Sequence, residues 1–166
     1  TPKIESTGSG GGMKLFCSGI GTQFPDVTNA SRKIKSSEIK KCTSNGVSEV
    51  YEVLIGYDGI VFANSKESDI VEFTRKDIFL ALAKEIPSPS GLVTNPYTYW
   101  NEVNPSLPAT RIEVLGPPPT SGTRDAFVEL AMEGGCKKFP EIKALKKTNK
   151  REYKRICHTI REDGAF

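Results

Sequence analysis

The sequence predicts an α/β fold on three observations. Apolar, β-branched runs alternate with segments of helical periodicity, and glycine and proline mark the seams between them. The composition, 37% hydrophobic and 26% charged, is that of a globular chain. At 166 residues it makes one ordinary domain or two small ones, since domains cluster at roughly 100–150 residues.

Taken in order, Gly8-Ser9-Gly10-Gly11-Gly12 reads as a tight glycine loop, and Met13, Phe16 and Cys17 as one or two helical turns after it. Asp26 to Ser31 reads as a short buried strand with its exit loop. A helix follows over Ser37–Thr43, with Ser36 or Ser37 as its cap and Gly46 just past its end. Residues 48–64 carry β-branched and aromatic residues on both sides of Gly56-Tyr57-Asp58-Gly59, which predicts two strands about a glycine-flanked crossing. Thr74 caps an amphipathic helix bearing Ile78, Phe79, Leu82 and Ile86, stopped by Pro87. Pro87 to Pro96 is a loop, and Trp100 is expected to pack rather than stack on a ligand. Arg111 to Leu115 is a strand, Pro117-Pro118-Pro119 extends the chain, and Thr120-Ser121-Gly122-Thr123 opens a helix running to Met132. Two lysine-rich helices, near 140–147 and 149–162, complete the reading.

No apolar run approaches the roughly 20 residues that span a bilayer. The first residues, TPKIESTGSGGG, lack the apolar core of a signal peptide, so an exported protein would have lost its leader or been cut from a longer precursor. Twenty-three basic and 20 acidic residues give +3, too near neutral to imply nucleic-acid binding. Nine Lys/Arg against two glutamates between Lys137 and Arg155 raise a nucleic-acid surface as a different class of answer. Interleaved aromatics are few there, and a solvated helical face is the expectation. Four cysteines allow three pairings. They fall into two sequence-local couples, Cys17 with Cys42 and Cys136 with Cys157, and two local disulfides would suit an oxidising compartment. Four buried thiols in a cytosolic chain are the alternative. No C-x-x-C spacing supports a zinc site, and no cofactor is expected.

Two loops share one physical design. Ser9 enters one helix from a glycine loop, and Ser121-Gly122-Thr123 enters another. A helix N-terminus offers unpaired N–H donors and partial positive charge, small hydroxyls add donors, and glycine admits close approach of an oxyanion. Each feature alone is more often a simple cap. Arg32 after Asn29-Ala30-Ser31 and Arg124 after Thr123 shift that balance, because a guanidinium fork suits a tetrahedral oxyanion.

Pro117 through Phe127 resembles the phosphate-contacting segment of the phosphate-specific periplasmic binding proteins of ABC importers, the PstS-like family. Thr7–Gly12, Asn29–Arg32 and Ile55–Val61 match that family in the same order. The resemblance implies a class II (Venus-flytrap) periplasmic binding protein fold, two α/β lobes joined by strand crossings and closing on one dehydrated phosphate. By position it places residues 1–60 in lobe 1 and 61–166 in lobe 2, with the first crossing near 55–62. It implies phosphate ligation by Ser9, Gly10, Arg32, Ser121, Gly122, Thr123 and Arg124, a periplasmic location, an ABC permease as partner, and no nucleic acid. Arg32 stands where better-known members carry an aspartate that accepts the phosphate proton, as in a branch of the family with arginine there. Two guanidiniums would then neutralise the anion. Members also begin with an extra strand and continue past the position of Phe166, so the expectation is a fragment whose fold is incomplete.

An enzyme is not expected. His158, the one histidine, is far in sequence from Ser9 and Ser121, so no Ser-His-Asp order is evident. GSGGGMK is not a Walker loop, and no phosphatase Cys-x5-Arg loop is present. The runner-up ligand is another tetrahedral oxyanion such as sulfate.

Overall fold

A computed structural model describes residues 4–5, 7–119 and 121–166. Eight α-helices and one hairpin are formed among them: α1 (Ser9–Phe16), α2 (Ser36–Ser44), α3 (Arg75–Leu82), β1 (Glu85–Ser88), β2 (Gly91–Thr94), α4 (Trp100–Val103), α5 (Gly122–Phe127), α6 (Glu133–Cys136), α7 (Pro140–Thr148) and α8 (Lys150–His158). A π-helical turn, Val128–Met132, joins α5 to α6. The chain separates into two compact units. One is Thr1–Ile60 with Pro118–Asp125, the other Val61–Pro117 with Ala126–Phe166.

In the first unit the glycine run is not a loop. Gly10, Gly11 and Gly12 lie inside α1, and only Gly8 precedes it, extended at ψ 164°. Three glycines in one helix cost about 0.8–1 kcal/mol each against alanine. Close packing explains two of them: a Cβ on Gly11 would stand 2.9 Å from the Thr7 Cβ, and one on Gly12 2.5 Å from the Thr28 hydroxyl. α2 is capped differently from the expectation. Lys35, not a serine, precedes it, and the Glu38 carboxylate accepts the Lys35 N–H at 2.7 Å. Gly46 follows at φ +87°, the left-handed geometry expected after a helix. The Cys17–Cys42 disulfide joins the end of α1 to α2, and the Asn45 amide donates to the Cys17 carbonyl at 2.7 Å.

The second unit holds the larger core. Phe79 and Leu82 of α3, Ile112, Met132, Tyr153 and Ile156 are buried, as are both cysteines of the Cys136–Cys157 disulfide. α3 and α6 approach so closely at Gly135 that a Cβ there would lie 1.9 Å from the Arg75 carbonyl. Thr74 caps α3 as expected, exchanging bonds with Asp77: its hydroxyl accepts the Asp77 N–H (3.1 Å), and its own N–H donates to the carboxylate (2.9 Å). Trp100 is buried against Phe73, ring centroids 4.5 Å apart, as packing requires. Pro140 opens α7 at its first position, and the Asn149 side chain caps α8 through the Glu152 N–H (3.1 Å).

Several expected elements are corrected. α3 stops at Leu82, because Asn95 donates to the carbonyls of Leu80 (2.7 Å) and Ala83 (2.8 Å), and the Arg161 N–H takes that of Leu82 (3.0 Å). Ile86 and Pro87 therefore sit in β1, and the expected loop is a hairpin turning at Pro89-Ser90 into Gly91, φ +112°. A two-stranded hairpin leaves Pro87 an outer edge, where its missing N–H is harmless. The helix expected to run through Met132 is interrupted by the π turn, and that expected to reach residue 162 ends at His158. The strands expected at 26–31, 48–64 and 111–115 form no ladder among the described residues; Val27, Tyr51, Val53, Ile55, Tyr57 and Leu115 are exposed. Arg111 makes a single bridge with Tyr99. Strand propensity makes a sheet only where a partner strand is present. The structure is thus mixed helix and strand, dominated by helix.

Candidate anion-binding site

Within the first unit, three loops expected to carry ligands come together. Ser9 opens α1 and is 8% exposed. Its hydroxyl lies 3.1 Å from that of Ser31 and accepts the Ser31 N–H at 3.1 Å. This ties Asn29–Arg32 to the N-terminus of α1. From the other side, a Cβ on Gly8 would stand 2.9 Å from Asp125 Oδ2 and 4.0 Å from Gly122 Cα, so Ser121–Asp125 packs against the same helix entry.

The Ser121 loop makes its own cap. The Ser121 N–H donates to the Pro118 carbonyl (2.9 Å), and its hydroxyl accepts the Thr123 N–H at 3.2 Å, turning the chain into α5. Thr120, within the same motif, lies outside the described residues. Arg124 is half-buried, and that burial lowers its pKa by disfavouring the charged form. Arg32 is engaged: Nη1 and Nη2 donate to the two Glu38 oxygens at 2.9 and 2.8 Å, and Nη1 to the Lys33 carbonyl at 3.0 Å. The Arg32 bonds hold the Glu38 carboxyl below its usual range against the opposing effect of burial, with the Lys35 N–H adding to them.

Ser9, Gly10, Arg32, Ser121, Gly122, Thr123 and Arg124 all fall in this unit. Three residues beside them were not anticipated. Ser31 was legible as a small hydroxyl next to Arg32, and Glu38 as the third residue of a helix, where carboxylates return to the cap. Asp125 has no local signal that brings it to Gly8. Asp58 accepts the N–H of its neighbour Gly59 at 2.8 Å.

Other concentrations of polar groups have structural partners. His158 Nε2 lies 3.0 Å from Glu133, which also receives Lys137 (2.7 Å), Lys146 (3.2 Å) and the Tyr153 hydroxyl (3.0 Å). Arg155 pairs with Glu85 and Glu152. Three cations of the basic stretch are therefore spent on carboxylates of the same unit. Among the described residues no group of three or more His, Cys, Asp or Glu is placed to hold a metal, and no helix is long and apolar enough to cross a membrane. A concavity of ≈ 290 Å³ in the first unit is lined by Phe16, Ile20, Phe24, Pro25 and Val47, and by none of the candidate ligands.

Known proteins extend this picture. The chain is 34% identical over 147 residues to the phosphate-binding protein PstS of Staphylococcus saprophyticus, covering 88% of this chain and 40% of that protein. It is 35% identical over 137 residues to the PstS of Staphylococcus epidermidis (79% and 36%). To the protein SphX of Synechocystis it is 33% identical over 142 residues (85% and 39%). The chain thus spans about two-fifths of the length of the curated relatives it matches. No solved structure matches it significantly. A family model described as the PBP superfamily domain matches residues 1–166, and the chain belongs to that superfamily.

Proposed function

We propose that the protein binds inorganic phosphate outside the cytoplasm and delivers it to the permease of an ABC importer, without chemical turnover. The observation that carries this reading is the meeting of three donor loops at one helix entry, in a chain whose relatives include phosphate-binding proteins. Ser9, Gly10, Ser121, Gly122 and Thr123 supply backbone N–H and hydroxyl donors, and the α1 N-terminus adds partial positive charge. Arg32 and Arg124 add charge-assisted bonds, each worth about 1.5–3 kcal/mol. The same reading takes the architecture as a two-lobed class II binding fold, residues 1–60 and 61–166, with strand crossings near 55–62. The Pro118–Asp125 loop, clustered with the first unit, completes the ligand set.

Calorimetric titration with phosphate, with sulfate as control, tests it. Arg124→Ala is expected to weaken phosphate binding roughly tenfold or more, the loss of one charge-assisted bond. Sulfate binding as tight as phosphate would move the assignment to tetrahedral oxyanions in general. No heat with either anion would remove it.

A further inference from the structure

We infer that Glu38 is a positioning residue for the anion site, a carboxylate that competes with the bound oxyanion for the Arg32 fork and thereby sets its affinity. The inference rests on the phosphate-binding reading and concerns a residue outside its ligand set.

The geometry carries it. A guanidinium has five N–H donors, and at least three of those of Arg32 are committed: two to the Glu38 oxygens at 2.8 and 2.9 Å and one to the Lys33 carbonyl at 3.0 Å. Glu38 occupies the end-on edge of the fork, Nη1 with Nη2, one of the two guanidinium edges that can grip a tetrahedral oxyanion. Both side chains are only 20% exposed, so their attraction is weakly screened by water. Glu38 is itself held by the Lys35 N–H at 2.7 Å, at the first turn of α2. Arg32 is anchored at its backbone, because the preceding residue, Ser31, is bonded to Ser9. The Arg32 backbone is therefore tied through Ser31 to the helix entry, while its guanidinium is held on Glu38 at the first turn of α2 and its charge is balanced by that acid. An oxyanion recruits it by displacing, or sharing the fork with, that acid. Every such exchange sets one charge-assisted pair against another, so the affinity sits below what two unopposed arginines would give.

Phosphate titrations of wild type, Glu38→Gln, Arg32→Ala and the double variant test this. The amide keeps the shape and the bond from Lys35 but is a weaker competitor for the fork. Glu38→Gln is expected to bind phosphate roughly three- to tenfold more tightly, the scale of a partly exposed ion pair. In the Arg32→Ala background the same change is expected to have no effect. A tighter site is not what a damaged fold produces, so the sign separates positioning from mere structure. Unchanged or weaker binding in Glu38→Gln, with native circular dichroism and a phosphate-binding wild type, overturns the inference alone. A gain that persists without Arg32 also overturns it, since Glu38 would then act by charge alone. Should Glu38→Gln fail to fold, Glu38→Asp shortens the reach while keeping the carboxylate; tighter binding supports the inference and unchanged binding overturns it. A wild type that binds no phosphate sinks the underlying reading instead, and is seen before any variant is made.

Discussion

At the scale of single residues, the glycines of α1 separate function from packing. A Cβ on Gly11 or Gly12 would collide with a threonine, whereas a Cβ on Gly10 would meet nothing within 4 Å. By helix propensity alone, Gly10→Ala should stabilise the fold by about 0.5–1 kcal/mol. If the Gly10 backbone approaches the anion, the same methyl obstructs it. The expected outcome is a higher midpoint in urea together with weaker phosphate binding, measured on one preparation; unchanged affinity would remove Gly10 from the ligand set. Gly135 is the opposite case. A methyl 1.9 Å from the Arg75 carbonyl forces α3 and α6 apart, so Gly135→Ala should destabilise by about 1–3 kcal/mol or more in the same assay. Ser9, Arg32 and the Ser121–Arg124 loop could be picked out as candidates from the sequence because small donors and guanidiniums in local order are what an anion site demands. Asp125 was not, because its approach to Gly8 is a long-range contact with no sequence pattern.

Among the elements, helices were read better than strands for a physical reason. The capping exchange between Thr74 and Asp77, Pro140 at a helix start and Asn149 at another act within four residues, and the sequence displays them. The end of α3 does not. Asn95 stops it from twelve or more residues away by donating to the Ala83 carbonyl and to that of Leu80, which a further helical turn would have paired with the Lys84 N–H. Asn95→Ala would leave those carbonyls buried and unpaired, and a loss of about 2–3 kcal/mol is expected on urea unfolding. The junction of α6, α7 and α8 has a pH signature. Burial pushes the Glu133 carboxyl up, but Lys137, His158, Tyr153 and Lys146 together hold it down to about 2 from 4.5. A carboxyl with a depressed folded pKa stabilises fully above its unfolded value. That contribution is lost as pH falls from about 4.5 toward 2, and about 2 kcal/mol is expected after allowing for partial exposure. Glu133→Gln should flatten this part of the stability-versus-pH curve while removing the stability at neutral pH. A slope unchanged by the substitution would place the acid sensitivity elsewhere.

For the whole molecule, the two disulfides carry unequal weight because the two units have unequal cores. Cys17–Cys42 and Cys136–Cys157 span 25 and 21 residues, so the chain-entropy contribution of each is similar, about 3 kcal/mol. Among the described residues, the buried apolar side chains of the first unit are Met13 and the two cysteines themselves, whereas the second unit buries Ile78, Phe79, Leu82, Ile112, Met132, Ile156 and others. The first unit also holds every candidate ligand, including the Ser9–Ser31 bond that joins two of its loops. A unit with so little buried surface depends on its crosslink, since hydrophobic burial cannot replace about 3 kcal/mol there. Replacing Cys17 and Cys42 by serine should therefore abolish amide-exchange protection in α1 and α2 and, with it, phosphate binding. Replacing Cys136 and Cys157 should lower the unfolding midpoint of the second unit and leave protection in α1 and α2 in place. Hydrogen exchange followed by mass spectrometry reads both units in one experiment. Retained protection in α1 and α2 without Cys17–Cys42 would mean that close contacts such as Gly12 against Thr28, rather than the crosslink, hold the helix entry together.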